Sequence, residues 1–324
     1  MLAVLATTFP FFALVLCGWL AAQRGLLPDS AIPGLNGFVL FFALPCLLLR
    51  YGRDTPVWQL LNPSLLGVYL AAALLIVAFT LACTRSPPLG MKDAAFGALV
   101  AAFPNSGFMG VPLIVALLGP TAGGAVVSTL LADLFVTSSL CIALAQAGAG
   151  GAAGRAAFVQ ALKAAGANPL PWAIAAGACV GASGLALPAP LAKTVAMLGD
   201  AASPVALFTI GAVLSRSGRA NRAAGRVTPY RLYLPVAAIK LLLHPALVFA
   251  LGAAARGLGA PLSAGQLVAL TLVAALPSAS NVSLLAERHG ADTGRIAHII
   301  LASTALAFLT FSGLAALLIE PAAG

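Results

Sequence analysis

Residues 93–118 read DAAFGALVAAFPNSGFMGVPLIVALL, and this stretch decides the fold. After Asp93 it carries no charge. It exceeds the roughly 20 apolar residues that a helix needs to cross a hydrocarbon core about 30 Å thick. Its middle breaks the pattern. In Phe103-Pro104-Asn105-Ser106-Gly107-Phe108-Met109-Gly110-Val111-Pro112 two prolines and two glycines interrupt the apolar run. Pro104 removes a backbone donor and clashes with the preceding turn, and Gly107 and Gly110 lower helix propensity further. The expectation is a membrane span broken near its centre.

The rest of the chain agrees with a lipid solvent. Hydrophobic residues make up 61% of the 324 and charged residues 8%, against roughly 25% charged in soluble domains. Continuous Leu- and Ala-rich runs dominate, and the alternating ten-residue pattern of a barrel is absent. Helices satisfy their own backbone hydrogen bonds in lipid, so the fold class is all-α integral membrane. The five cysteines, Cys17, Cys46, Cys83, Cys141 and Cys179, lie in apolar runs without metal-ligand spacing, and read as small packing residues. No metal or cofactor is expected. Met1 to Leu20 lacks a basic leader and runs into the first span, so it reads as a helix and not a cleaved signal.

Ten spans are expected, near 5–23, 32–50, 62–83, 93–118, 122–147, 169–187, 191–215, 233–255, 265–286 and 294–318. The net charge of +9 is a topological bias and not a nucleic-acid surface. With both termini outside, the inner loops hold Arg24, Arg85, Lys92, Arg155, Lys163, Arg216, Arg219, Arg222, Arg226, Arg231, Arg288 and Arg295. The outer side holds Arg50, Arg53, Lys193 and Arg256. Cations favour the cytoplasmic side, so both termini are expected outside the cytoplasm, with Arg216 to Arg231 as the longest inner loop. The expected location is the cell inner (plasma) membrane.

The second half echoes the first. Ala101-Ala102-Phe103-Pro104 matches Ala274-Ala275-Leu276-Pro277, each inside the fourth span of a five-span unit. Gly25 to Pro28 resembles Gly184 to Pro188, Pro45 is echoed by Pro204, and Arg50 and Arg216 close equivalent spans. Five spans is an odd number, so the second unit enters from the opposite side. The chain therefore reads as two inverted five-helix repeats, 1–150 and 151–324, with helices 4 and 9 broken.

In the second break, Leu276-Pro277-Ser278-Ala279-Ser280-Asn281-Val282 again sets a proline and small polar residues in mid-span. Interrupted helices at matching positions of inverted repeats mark transporter binding sites. A break frees N–H groups on one half-helix, and that end carries partial positive charge suited to an anion. Candidate substrate-binding residues are Pro104, Asn105, Ser106, Gly107 and Gly110, with Pro277, Ser278, Ser280 and Asn281. The competing reading is a pair of proline kinks patched by neighbouring Ser and Asn.

These motifs resemble the signatures of the auxin efflux carrier family. The resemblance rests on residues 104–112 and 275–281, followed by Leu285-Ala286-Glu287-Arg288-His289-Gly290-Ala291-Asp292. Phe41 to Arg50, Asn168-Pro169 and Leu198 to Pro204 add to it, so it spans nearly the whole chain in order. It implies that helices 4 and 9 cross at the membrane centre, that helices 1, 2, 6 and 7 form a scaffold, and that helices 3–5 and 8–10 move. It also implies that Asn105 and Asn281 serve the anion. Members of this size are associated with malonate, malate and similar carboxylates. Plant members export auxin and carry a long central hydrophilic loop, which this chain lacks. Asn281 follows its proline by four residues and Asn105 by one, so the two need not play equal parts.

Several ionisable residues fall inside spans, which makes them functional candidates. Asp133 and Lys240 are expected deep in the bilayer and are read as an ion pair that couples transport, with a static packing pair as the alternative. Asp200 reads as a cap beside Pro204, His244 as a packing residue, and His298 as an interfacial one. A proton or sodium ion is a candidate coupling partner and a homodimer a candidate assembly. No GxxxxGK[ST], HExxH or GxSxG motif is present, and no enzyme activity is expected. The function expected is secondary transport of a small organic anion by alternating access. The alternatives are a sodium- or proton-coupled organic-anion symporter of the bile-acid type, and a membrane sensor that binds a carboxylate without moving it.

Overall fold

The structure is a computed structural model and describes residues 2–56, 62–85, 89–147, 159, 163, 166–223 and 228–319. Arg155 and Arg226, within the expected inner loops, lie outside them. Among the described residues the chain is helical, with α1 (Leu2–Gln23), α2 (Ala31–Asp54), α3 (Pro63–Thr84), α4 (Met91–Ala102), α5 (Ser106–Leu118), α6 (Pro120–Ala147), α7 (Pro169–Ser183), α8 (Ala189–Ala223), α9 (Tyr230–Gly257), α10 (Ala264–Ala275), α11 (Val282–Arg288) and α12 (Thr293–Ile319). Seven of these, α1, α2, α3, α6, α8, α9 and α12, are long and apolar enough to cross a membrane, and α5, α7 and α10 are shorter apolar helices.

Local chemistry explains the boundaries. Asn62 accepts from the N–H groups of Ser64 and Leu65, and Asn168 from that of Leu170, each just ahead of a proline in the first turn. Ser263 and Gln266 form a reciprocal capping box that starts α10. Gly184 ends α7 in the left-handed conformation. At Pro204, by contrast, α8 continues unbroken.

Close helix contacts depend on glycine. Gly18 lies against the Phe208 carbonyl, and Gly211 against the Val15 carbonyl and the Trp19 N–H, so α1 and α8 meet backbone to backbone. Gly52 abuts Ile174, Gly177 abuts Leu49, and Gly181 abuts Arg53, which joins α2 to α7 in the same way. Small residues allow this approach where lipid removes the hydrophobic drive between helices. Three cysteines, Cys17, Cys83 and Cys179, are exposed on the outer faces of their helices, and only Cys141 is buried. The expected packing role therefore fits Cys141 and not those three.

The segment expected as an inner loop from Arg216 is partly helix, because α8 runs on to Ala223. Arg219 explains the extension. Its guanidinium donates to the Ala22 carbonyl (2.8 Å), the Ser215 hydroxyl (2.8 Å) and Asp29 (2.5 Å), and so holds this last stretch to the α1–α2 connection. Arg295 also departs from its expected place in a loop, being fully buried. It donates to the Leu232 carbonyl and the Asp93 carbonyl, each at 2.8 Å, while Asp93 accepts from the Asp292 N–H at 2.8 Å. The starts of α4, α9 and α12 are thereby fastened together, and Gly97 leaves the space that the guanidinium fills.

Candidate functional site

α4 stops at Ala102 and the chain resumes as α5 at Ser106; α10 stops at Ala275 and resumes as α11 at Val282. The two short extended segments between these ends pair with each other. Pro104 and Ser278 form an antiparallel bridge. The Asn105 N–H donates to the Pro277 carbonyl (2.8 Å), and the Ala279 N–H to the Phe103 carbonyl (2.9 Å). The prolines explain the pattern. Each lacks an N–H, so the bonds run from the residues one and two positions beyond them. Pairing removes a cost of several kcal/mol per unsatisfied backbone group at membrane depth.

The polar side chains around this crossing are under-used. The hydroxyls of Ser106 and Ser278 and the Oδ1 of Asn281 are buried without a hydrogen-bond partner. The Asn105 side chain, 4% exposed, also makes no hydrogen bond to a described residue. Buried polar groups normally find partners, and these have none among the described residues. Each amide can present either its oxygen or its NH2 by a half-turn of its last bond.

The two asparagines are placed differently. Asn105 lies in the extended crossing, and its carbonyl accepts from the Met109 and Gly110 N–H groups that begin α5. Asn281 sits one step ahead of α11 and lines a cavity of about 250 Å3 with Asn36, Phe108, Arg216, Ser280, Ser283 and Glu287. A second cavity of about 330 Å3 touches Asn281 from another side, with Phe103, Asn168 and Arg288. Of the candidate residues, Pro104, Asn105, Pro277 and Ser278 meet through the bridge, and Ser280 and Asn281 share a cavity. Gly107 and Gly110 serve packing. A Cβ on Gly110 would meet Leu276 at 2.8 Å, and one on Gly107 would contact Leu44 and Leu130.

Asp133 and Lys240 are both fully buried, but they do not form an ion pair. Asp133 accepts from the Tyr69 hydroxyl (2.6 Å) and the Thr137 hydroxyl (3.0 Å). Lys240 donates to the Ala274 carbonyl (2.6 Å) and lies 3.2 Å from His244 Nδ1. The Ala274 carbonyl belongs to the last turn of α10, where free carbonyls give the helix its negative end. Lys240 therefore caps the half-helix that leads into the crossing. The Tyr69 and His244 rings lie 6.0 Å apart and connect the two charged residues through space. Each of the two belongs to a π-helical turn, Asp133–Thr137 and Ile239–Leu243, a distortion found often at functional sites.

His244 joins Lys240 and leaves its Nε2 without a partner. Asp200 does not cap at Pro204; it takes the Arg50 guanidinium at 2.6 Å and ties α2 to α8. His298 packs near Tyr233, with ring centroids 5.2 Å apart. Sequence reasoning missed Tyr69 and Thr137 as partners of Asp133, and Ser303, whose hydroxyl accepts the Ser278 N–H at 3.2 Å. Tyr69 was the findable one, as the one tyrosine well inside an apolar span.

A bundle of long apolar helices, with a polar crossing of two interrupted segments, is the architecture of a multi-pass membrane transport protein. The family model for membrane transport proteins matches residues 3–315, and the chain belongs to that family, the auxin efflux carriers. It is 30% identical over 321 residues to a protein of Rhizobium meliloti (strain 1021) named "Putative malonate transporter", covering 97% of this chain and 95% of the relative.

Proposed function

We propose that the protein is a secondary carrier of a small carboxylate, of the malonate or malate kind, which it exposes to each side of the membrane in turn at the crossing. One observation carries this reading. The backbone of the crossing pairs with itself, while the Ser106 and Ser278 hydroxyls and the Asn281 Oδ1 beside it are buried and unpartnered. A carboxylate has the acceptor oxygens that Ser106, Ser278, Asn105 and Asn281 can donate to. The family and the relative's name support transport, and that name supports a dicarboxylate as the first substrate to try.

On this reading α4 with α5, and α10 with α11, are each one interrupted span. That gives ten crossings in two inverted sets of five, divided between 1–150 and 151–324. α1, α2, α7 and α8 are the scaffold, held by the glycine contacts and by Arg50–Asp200. α3 to α6 and α9 to α12 move as the carrier domain, held by Arg295. The cavity at Asn281 supports this division, because α2 and α8 form one wall and α11 and α12 another. On this reading the cavity opens to the cytoplasmic side of the inner membrane, with both termini outside, and the excess of arginine and lysine in the loops assigned to that side supports it.

Asp133 and Lys240 are the coupling residues of this proposal. Their roles are not those of a closed pair. The Tyr69–Asp133 and His244–Lys240 contacts form two halves of one buried network, within which a proton or sodium ion changes the charge while the crossing is loaded or empty.

Calorimetric titration of the purified protein with malonate tests the site. Wild type should bind saturably. Asn281→Ala should weaken binding by about tenfold or more, as expected for loss of a hydrogen bond to a charged group, and Asn105→Ala should weaken it in the same direction. Unchanged affinity in two folded variants would place the site elsewhere.

A further inference from the structure

We propose that Arg216 is a specificity-determining residue, holding the second carboxylate of a dianion and so selecting dicarboxylates over monoanions of the same size. The inference rests on the carboxylate-carrier reading above and extends it to the substrate class.

Arg216 projects from α8, whose residues Ile210, Val213, Arg216 and Ser217 share a face and line the cavity at the crossing. Ser280, Asn281 and Ser283 line the same cavity. Arg216 is half-buried, and it is unlike the other half-buried arginines described. Arg50 is taken by Asp200, Arg53 by Asp54, and Arg219 by Asp29, Ser215 and Ala22. Arg216 has no hydrogen bond or ion pair with any described residue. A guanidinium offers five donors in a planar fork that fits a carboxylate through two parallel bonds. In a partly enclosed cavity that interaction is screened less than at an open surface.

The placement assigns the two ends of the substrate. Asn281 belongs to the crossing and Arg216 to the opposing wall, so a molecule with a carboxylate at each end can engage both. A monoanion satisfies only one. Glu287 stands exposed at the rim of the same cavity, unpaired with Arg216. It raises the cost of negative charge that is not matched by the guanidinium, which sharpens the dependence on Arg216. An arginine near a helix end can also serve topology alone, with its stem along apolar surface and its head in water. Such an arginine would not distinguish ligands.

The experiment compares malonate with its monomethyl ester, a monoanion of the same chain length, by calorimetric titration of wild type, Arg216→Gln, Arg216→Lys and Asn281→Ala. Wild type should prefer malonate. Arg216→Gln should erase that preference, with malonate affinity falling about tenfold or more and the ester's shifting by less than about threefold. Arg216→Lys keeps the charge but loses the fork, and should reduce the preference part of the way. Asn281→Ala should weaken both ligands. A preference that survives in Arg216→Gln overturns the assignment, as does an equal loss for both ligands in Arg216→Gln or in Arg216→Lys. A wild type that prefers malonate while Arg216→Gln keeps the preference leaves the carrier reading standing without Arg216. A wild type that binds neither ligand overturns both.

Discussion

Asp133 is the residue whose environment says most. It lies in a fully buried position, held by two hydroxyls and not by a cation. Lys240, equally buried, faces a helix carbonyl and an imidazole. Each charge is therefore solvated by neutral groups, an arrangement that permits a change of protonation without collapse of a salt bridge. Breaking a tightly closed buried pair is strongly destabilising, so a closed pair would make a poor switch. Asp133→Asn and Lys240→Met should both fold. Each should slow malonate transport several-fold and flatten its dependence on pH, measured as initial uptake rate between pH 5.5 and 8 in proteoliposomes. Rates and pH profiles equal to wild type would reduce the network to packing. That both residues would lie buried within apolar spans was legible in the sequence, and charged residues there are rare. That they would not touch was not legible. Their separation depends on how α6 and α9 rotate against α3, and on π-helical turns that no local residue pattern announces.

At the scale of elements the breaks were the most readable feature. Pro104 and Pro277 each forbid an N–H at a fixed position, and the bridge forms from the residues around them. The end of α7 was also accessible, through Gly184. Other boundaries were set by distant contacts. α8 reaches Ala223 because Arg219 finds Ala22 and Asp29 in another part of the chain, which a local reading of an arginine-rich stretch cannot foresee. Likewise Arg295 counts as a loop cation until Gly97, Leu232 and Asp93 are seen around it. The glycine-lined contact of α1 with α8 gives a direct test. Gly211→Leu places a side chain where the Val15 carbonyl sits. Overpacking of this kind costs roughly 1–3 kcal/mol, so the apparent Tm in detergent should fall, whereas Gly313→Leu, with open space around it, should leave it near wild type. Equal Tm values for the two would mean that α1 and α8 are not closely packed.

For the whole molecule, the proposed division into a scaffold and a carrier domain makes two demands. The first is orientation. The connection between α8 and α9 should face the cytoplasm. A single cysteine at Thr228, in a background with the five native cysteines replaced, should resist membrane-impermeant thiol reagents in intact cells and react after permeabilisation. Labelling in intact cells would invert the assignment.

The second demand is movement, and it is the centre of the account. A carrier that alternates must return its site across the membrane, and it returns faster when loaded on the far side. Counterflow measures this. Purified protein in proteoliposomes preloaded with unlabelled malonate should take up labelled malonate transiently above equilibrium, and Asn281→Ala should lose most of that uptake. Saturable malonate binding without counterflow would contradict the account and make the protein a receptor for the anion instead of its carrier.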